Sequence, residues 1–415
     1  MSDRPLSLIG PPPPHSAYRV YLSRYAELIQ ERGSAPVGAR SGTVKARALE
    51  ATKSLLDRVG LPYLRPHRDS ASVLLSPQAL LLTRSRWVVD IEHPTPFVGV
   101  DYLRFDRPHT RWIITKLLER DNCLAVICWS EACRRAFLAK CPSTKVSQKV
   151  RVVYPAIDSD RVAPRWSVRR GLRRLLFVFN TPEHNFFIKS GWEVVEAFKV
   201  ALAEVGVLEL HVVGPVPEEV SAKLAGTPGL TLYGKVSRER LSEIYSQCDL
   251  MVLPTVTDTF GMAFLEAFAT GMPALAVRWY AIPEIVEHEQ NGLLIDKSPG
   301  LVSWMDASGA PTMHSHAFIR TRKLAGPDPQ TVALLAQQII RLARDPDLLG
   351  RLSAGASRTV RQGKFSPDAA CAVLEAVARQ VVDARRERRG TEPVEPGFRG
   401  RPVPPTGREA TPREQ

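Results

Sequence analysis

Short apolar runs alternate with longer amphipathic ones over most of this chain. A strand covered by helices on both faces reads as a continuous hydrophobic run, whereas a surface helix repeats its apolar positions about every 3.6 residues. On that basis LSLIG (6–10) reads as a first strand, PPPPHSA as a loop and YRVYLSRYAELIQER (18–32) as a helix. SVLLS (72–76), RWVVDIEH (86–93), CLAVICWS (123–130) and KVRVVYP (149–155) read as further strands, with EACRRAFLAK a helix capped by Ser130.

After SDRVAPRWSVRRGLRR, polar and nearly aperiodic, a second series begins. Strands LLFVFN, LELHVVG, LTLYG, LMVLP and PALAV alternate with helices GWEVVEAFKVALAEV, EEVSAKLA and RERLSEIYSQC, and IPEIVEHEQNGLLID closes the series. Residues 298–326 lack a period and read as a long surface loop, before helices PQTVALLAQQIIRLARD and PDLLGRLSAGASRTVRQ. Strands alternating with helices predict an α/β protein with parallel sheets. The expected organisation is an N-terminal domain over 1–160, an Arg-rich linker over 161–174 and a C-terminal domain over 175–366. A last helix is expected over 367–389 and a disordered tail over 390–415, where Pro, Gly, Arg and Glu dominate.

At 415 residues the chain is long enough for two cores, and 44% hydrophobic with 24% charged residues is ordinary for a globular protein. No run approaches the roughly 18 apolar residues of a membrane span. MSDRPLSLIGPPPP lacks the layout of a signal peptide, so a cytoplasmic location is expected. Cys123, Cys128, Cys133 and Cys141 match no common zinc spacing and read as buried reduced thiols. The net charge of +13 is uneven: residues 1–150 hold 23 Lys/Arg against 13 Asp/Glu, while 151–383 balance at 25 and 25. Read as a functional field, the basic N-terminal part suits an anionic acceptor or the inner face of a membrane, contacted peripherally. Arg19, Arg24 and Arg32 among Tyr18, Tyr21 and Tyr25 are the candidate contact, the other reading being a solvated surface. No nucleic-acid-binding signature accompanies the charge.

The densest stretch is TDTFGMAFLEAFATGMP (257–273), directly after the strand LMVLP. Ligands of open α/β sheets bind at the carboxyl ends of the strands. Gly261 lets the backbone approach a ligand, and the helix starting at Gly261 and Met262 offers N–H groups and a positive dipole end to a phosphate. Glu266 sits among Met262, Phe264, Leu265, Ala267 and Phe268, where a carboxylate is costly unless bonded. It lies about 7.5 Å along the helix from Gly261, roughly the step from a diphosphate to its ribose. Asp258 is then placed to reach a sugar beyond the diphosphate.

This stretch, with PEIVEHEQNGLLID after it, resembles the donor-site signature of the retaining glycosyltransferases of family 4 (glycosyl transferases group 1), over residues 175 to 296. Their pattern is Glu, seven residues, Glu, with Phe-Gly after the first acid; here Asp258 takes the first position and Glu266 the second, with Phe260 and Gly261 between. The resemblance implies the GT-B fold, two Rossmann-like domains facing a cleft. It implies transfer of a sugar, as a hexosyltransferase, from a nucleotide-activated donor to a hydroxyl acceptor; the acceptor stays open, an anionic or lipid-linked glycan being the candidate that the basic N-terminal part suits. Retention is expected, with no metal and no cofactor beyond the nucleotide-sugar co-substrate.

In the family a Lys-Gly pair and an earlier Arg neutralise the diphosphate. Lys189 stands in the place of the Lys, the Arg is absent, and only His184 or Asn185 is near. Gly214, Gly234, Lys235 and Val236 match segments that frame the base, Met262 lies at the helix start, and His93 matches a His near the reacting sugars. His93, Asp258 and Lys189 are thus the expected catalytic residues. Two rival readings stay open: another enzyme of the fold, an epimerase or phosphorylase, or a non-catalytic glycosyltransferase-like binding subunit.

Overall fold

Runs such as Leu-Leu-Phe-Val and Leu-Met-Val-Leu have no polar face to offer water, so they form strands buried on both sides. The computed structural model describes residues 61–66, 73–99, 102–157 and 171–370, the strand backbones of 6–9 and 29–32, and the helical positions 372, 373 and 376. Residues 161–170 of the expected linker lie outside these residues, as do the tail, most of the last helix, and Tyr18, Arg19, Tyr21, Arg24 and Tyr25.

The N-terminal strands are β1 (Leu6–Ile9), β2 (Ile29–Arg32), β3 (Leu64–Pro66), β4 (Val73–Pro77), β5 (Leu80–Leu82), β6 (Trp87–Ile91), β7 (Cys123–Cys128) and β8 (Val150–Val152). Six form a parallel sheet in the order β2-β1-β4-β6-β7-β8, and β3 pairs with β5 beside it. The expected helix over 18–32 is corrected at its end: Ile29–Arg32 is a strand in parallel register with β1. Pairing to an adjacent strand overrides a helical period that local sequence supplies only weakly.

The second sheet comprises β9 (Arg174–Val178), β10 (Glu209–Val213), β11 (Leu230–Gly234), β12 (Leu250–Leu253), β13 (Ala274–Arg278) and β14 (Gly292–Asp296). Its order, β11-β10-β9-β12-β13-β14, is parallel throughout and reverses direction between β9 and β12. A crevice opens where the connections of two neighbouring strands leave in opposite directions. Here the loops after β9 and after β12 flank it. The two Rossmann-like domains make the protein a two-domain α/β fold of the GT-B type.

The surface loop expected over 298–326 is also corrected. It contains the helix Ser315–Leu324, and Trp304, Met305 and Phe318 are buried against Ala132, Ala136, Tyr280 and Ala281. The Arg322 guanidinium is buried too, 3.0 Å from the Glu193 carboxylate. The segment fills the seam between the domains, and an aperiodic apolar run covered from several sides carries no amphipathic signature.

One carboxylate makes several of the seam's hydrogen bonds. Glu284 Oε2 accepts from the Glu131 amide at 2.8 Å, and Oε1 from the Ala132 amide at 2.7 Å. With the Ser130 hydroxyl accepting from the Cys133 amide, as the sequence anticipates, the first-turn amides of the helix Glu131–Lys140 all have partners. The Tyr154 hydroxyl donates to Glu284 as well, at 2.8 Å. Glu284→Gln is expected to weaken the seam by about 1.5–3 kcal/mol, the range for hydrogen bonds to a charged group. The measurement is hydrogen exchange at the Glu131 and Ala132 amides; unchanged protection contradicts the prediction.

Candidate functional site

The crevice at the carboxyl ends of β9 and β12 is a cavity of about 580 Å³. Phe179, Asn180 and Thr181 line it after β9, and Thr257 to Ala263 after β12. The Gly234–Val236 turn after β11 closes one side, and Gly214 and Pro215 after β10 the floor.

Two glycines are required by the backbone itself. Gly261, at φ +109°, starts the helix Met262–Ala269, and a Cβ there meets the Phe264 ring at 2.8 Å. Gly214, at φ +148°, carries the wall so close that a Cβ lies 2.6 Å from the Phe179 carbonyl oxygen. Phe260, buried, reaches across the seam to Trp129, their ring centres 5.8 Å apart in an edge-on arrangement.

Glu266, Asp258 and Lys189 all line the cavity. Glu266 is half-buried rather than enclosed in the apolar run, because it opens on the cavity. The Tyr245 hydroxyl donates to its Oε2 at 3.4 Å, and the Arg238 guanidinium stands 4.0 Å from Oε1. Burial and then the Glu266 charge push the Tyr245 phenol well up, which keeps it a donor. On the loop before the Met262–Ala269 helix, the Lys189 ammonium meets Asp258 Oδ1 at 2.5 Å, both side chains mostly covered. Lys189 leads into Ser190, whose φ of +69° is the left-handed conformation that a glycine takes most easily. The Ser190 hydroxyl anchors this turn to the Pro254 carbonyl at the end of β12, at 3.1 Å.

Lys189, Asp258, Phe260, Gly261, Met262, Glu266, Gly214, Gly234, Lys235 and Val236 therefore all line one cavity. His93 does not. It is buried in the seam, where the Thr95 amide donates to Nδ1 at 3.2 Å, which leaves Nε2–H to donate to the Gly309 carbonyl at 2.8 Å. Trp304 and Tyr280 pack edge-on against its ring. Burial pushes its pKa down to about 4, so the imidazole is neutral. As the domains stand, His93 ties the N-terminal domain to the 298–326 segment instead of facing the cavity. Its place at a strand end is the same in either role, which is why sequence alone does not separate them.

The carboxyl group that the N-terminal domain does bring to the cavity is Glu92, one residue earlier. It is the single N-terminal-domain residue among the described residues that lines it. Its signal in the sequence is an acid ending the run WVVDIE at a strand's carboxyl end. Asn185, near the place of the family's Arg, donates to the Asn180 carbonyl at 2.9 Å. Of two Asp-x-Asp strings, Asp158-Ser159-Asp160 lies outside the described residues. The other, Asp345-Pro346-Asp347, begins the helix Pro346–Arg361, where Asp345 caps the Leu348 amide. Among the described residues no cluster of His, Cys, Asp and Glu is arranged to hold a metal ion, and no helix is long and apolar enough to cross a membrane.

Residues 176–306 match the family model for glycosyl transferases group 1. The sulfoquinovosyl transferase SQD2 of Arabidopsis thaliana is 25% identical over 187 residues, 44% of this chain and 36% of that protein. The chain spans well under half the length of the curated relatives it matches. Among solved structures, HepE of Anabaena in complex with UDP-glucose superposes with a TM-score of 0.52 at 14% identity, covering 92% of this chain and 99% of that one. The pneumococcal O-GlcNAc transferase GtfA, in complex with UDP and GlcNAc, gives 0.52 at 16% identity, covering 80% of this chain and 60% of that one.

Proposed function

We infer, from a C-terminal domain that is that of a group 1 glycosyltransferase on a GT-B fold, that this protein transfers a hexosyl unit from a nucleotide-activated donor to a hydroxyl acceptor, with retention and without a resident metal. One observation carries this reading: Glu266, the Gly261 helix start and the Lys189–Asp258 pair all line a single cavity, with Asp258 on the loop before the helix and Glu266 within it. In that reading the nucleoside lies toward Gly234–Val236, its ribose hydroxyls donate to Glu266, and the diphosphate rests on the helix start. The solved neighbours with UDP or UDP-glucose bound support a uridine donor.

The leaving group is a nucleoside diphosphate, so the chemistry needs stabilisation of developing negative charge more than a strong nucleophile. Lys189 supplies it. Moving from Asp258 to the diphosphate, its ammonium frees the Asp258 carboxylate to accept from sugar hydroxyls. The bond from the anomeric carbon to the diphosphate oxygen breaks as the acceptor oxygen bonds to the same face of that carbon. The acceptor proton passes to the departing diphosphate. Closure of the domains across the seam excludes water and limits hydrolysis. The basic N-terminal part is the side assigned to an anionic acceptor or membrane surface.

The test is nucleotide binding. Glu266→Gln is expected to weaken the preferred nucleoside diphosphate by about 1.5–3 kcal/mol, since it replaces a charged acceptor of ribose hydroxyls with a neutral one. Calorimetry with UDP, GDP and ADP measures it. Equal affinity in the variant and the parent removes Glu266 from the ribose, and absence of binding by all three diphosphates overturns the reading.

A further inference from the structure

Glu92 is unused by the mechanism above, yet it is placed where the transferred sugar has to lie. It follows β6 and lies across the seam beside Thr259, which stands next to Asp258, with Gln78, in the turn after β4, on its other side. The cavity therefore has carboxyl groups from both domains, Asp258 from one and Glu92 from the other. The cations lining the cavity among the described residues are Lys189 and Lys235. Lys235 belongs to the Gly234–Val236 turn on the nucleoside side, and Lys189 is the group that the diphosphate claims. Once Lys189 has turned to the diphosphate, two carboxyl groups face the sugar with no cation between them.

We propose that Glu92 is a specificity-determining residue for the donor sugar, accepting hydrogen bonds from its hydroxyls opposite Asp258 and rejecting sugars that carry a negative charge. The proposal rests on the nucleotide-sugar reading of this cavity.

Burial pushes the Glu92 carboxyl up to about 7, and the neighbouring Asp258 charge pushes the same way, against Thr259, Gln78 and Lys189. The other titratable groups coupled to it are Cys133 and Tyr280. Both are driven further up by burial and stay neutral, and His93 beside it in the chain is neutral as well. Before a sugar binds, Glu92 is a carboxylate above about pH 7, and in that form it accepts fully from a sugar; the protonated acid keeps only part of that acceptor capacity. Affinity for a neutral donor sugar therefore rises with pH through that region, and discrimination against an anionic sugar rises with it.

The experiment compares the parent protein with Glu92→Gln by calorimetry at about pH 6 and about pH 8, either side of the Glu92 pKa. The probes are the tightest-binding of UDP, GDP and ADP, its glucose ester and, for the uridine series, the glucuronate ester. Glu92→Gln is expected to leave diphosphate affinity within about twofold and to weaken the glucose ester about tenfold at the higher pH. It is also expected to abolish the pH dependence of the difference between ester and diphosphate, and to narrow the preference for glucose over glucuronate. Diphosphate binding with an ester affinity indifferent to Glu92→Gln overturns this assignment alone. Failure of every diphosphate to bind overturns the nucleotide reading and this assignment with it. Equal weakening of ester and diphosphate assigns Glu92 to holding the Asp258 loop and also overturns the proposal.

Discussion

Lys189→Ala slows sugar transfer by about 10²–10³-fold, the cost of about 2.7–4 kcal/mol when one group stabilising charge in the transition state is lost. The geometry behind this expectation is the Lys189 ammonium 2.5 Å from Asp258, in the cavity that the Gly261 helix start also lines. Charge accumulates on the diphosphate as the anomeric bond stretches, so the loss falls chiefly on kcat. Ground-state binding of the nucleoside, assigned in the proposed reading to Glu266 and the Gly234–Val236 turn, is expected to change much less. Lys189→Arg keeps the charge on a longer, planar group and is expected to recover only part of the rate. The check is a transfer assay with the best-binding donor, paired with calorimetry on the corresponding nucleoside. A loss of rate below about tenfold, or an equal loss in nucleoside affinity, removes Lys189 from the diphosphate.

Arg322→Met destabilises the fold by about 3–5 kcal/mol, because it leaves the Glu193 carboxylate buried without its partner. The two groups are 3.0 Å apart, with side chains 3% and 1% exposed. The guanidinium also donates to the Phe187 carbonyl at 3.0 Å and to the Ser190 hydroxyl at 3.3 Å, so it braces the turn that presents Lys189. Glu193→Gln in the same background removes the stranded charge and is expected to restore most of the loss. Urea denaturation of the parent, the single and the double variants measures both effects. A single-variant loss below about 1 kcal/mol shows that the charge finds solvent or another partner.

How far each element was legible follows from how its signal is generated. Helix Gly191–Val205 and strand Leu230–Gly234 occupy the expected positions, since each carries its own period and its own stops. The loop-to-helix turn at Asp258, Phe260 and Gly261, with Glu266 beyond it, was readable for the same reason. Its residues are contiguous, and an acid inside an apolar run stands out whatever surrounds it.

Other features depend on a partner far away in sequence. Ile29–Arg32 becomes a strand only because β1 pairs with it, and residues 298–326 look irregular because their order comes from packing between domains. Arg322 gave no sign of its burial, since Glu193 lies 129 positions away and nothing local marks the pair. Glu92 and His93 are neighbours at one strand end, and the sequence favoured the histidine. The fold turns the histidine into the seam, toward Gly309, and leaves the acid facing Asp258. By itself, then, the sequence determined the alternation of strands and helices, the second domain and the turn that brings Asp258, Gly261 and Glu266 to the cavity, because each is written in adjacent positions. Which side chains the first domain presents to that site was decided only by the tertiary structure, because side-chain direction at a strand end depends on what packs against it from the other domain.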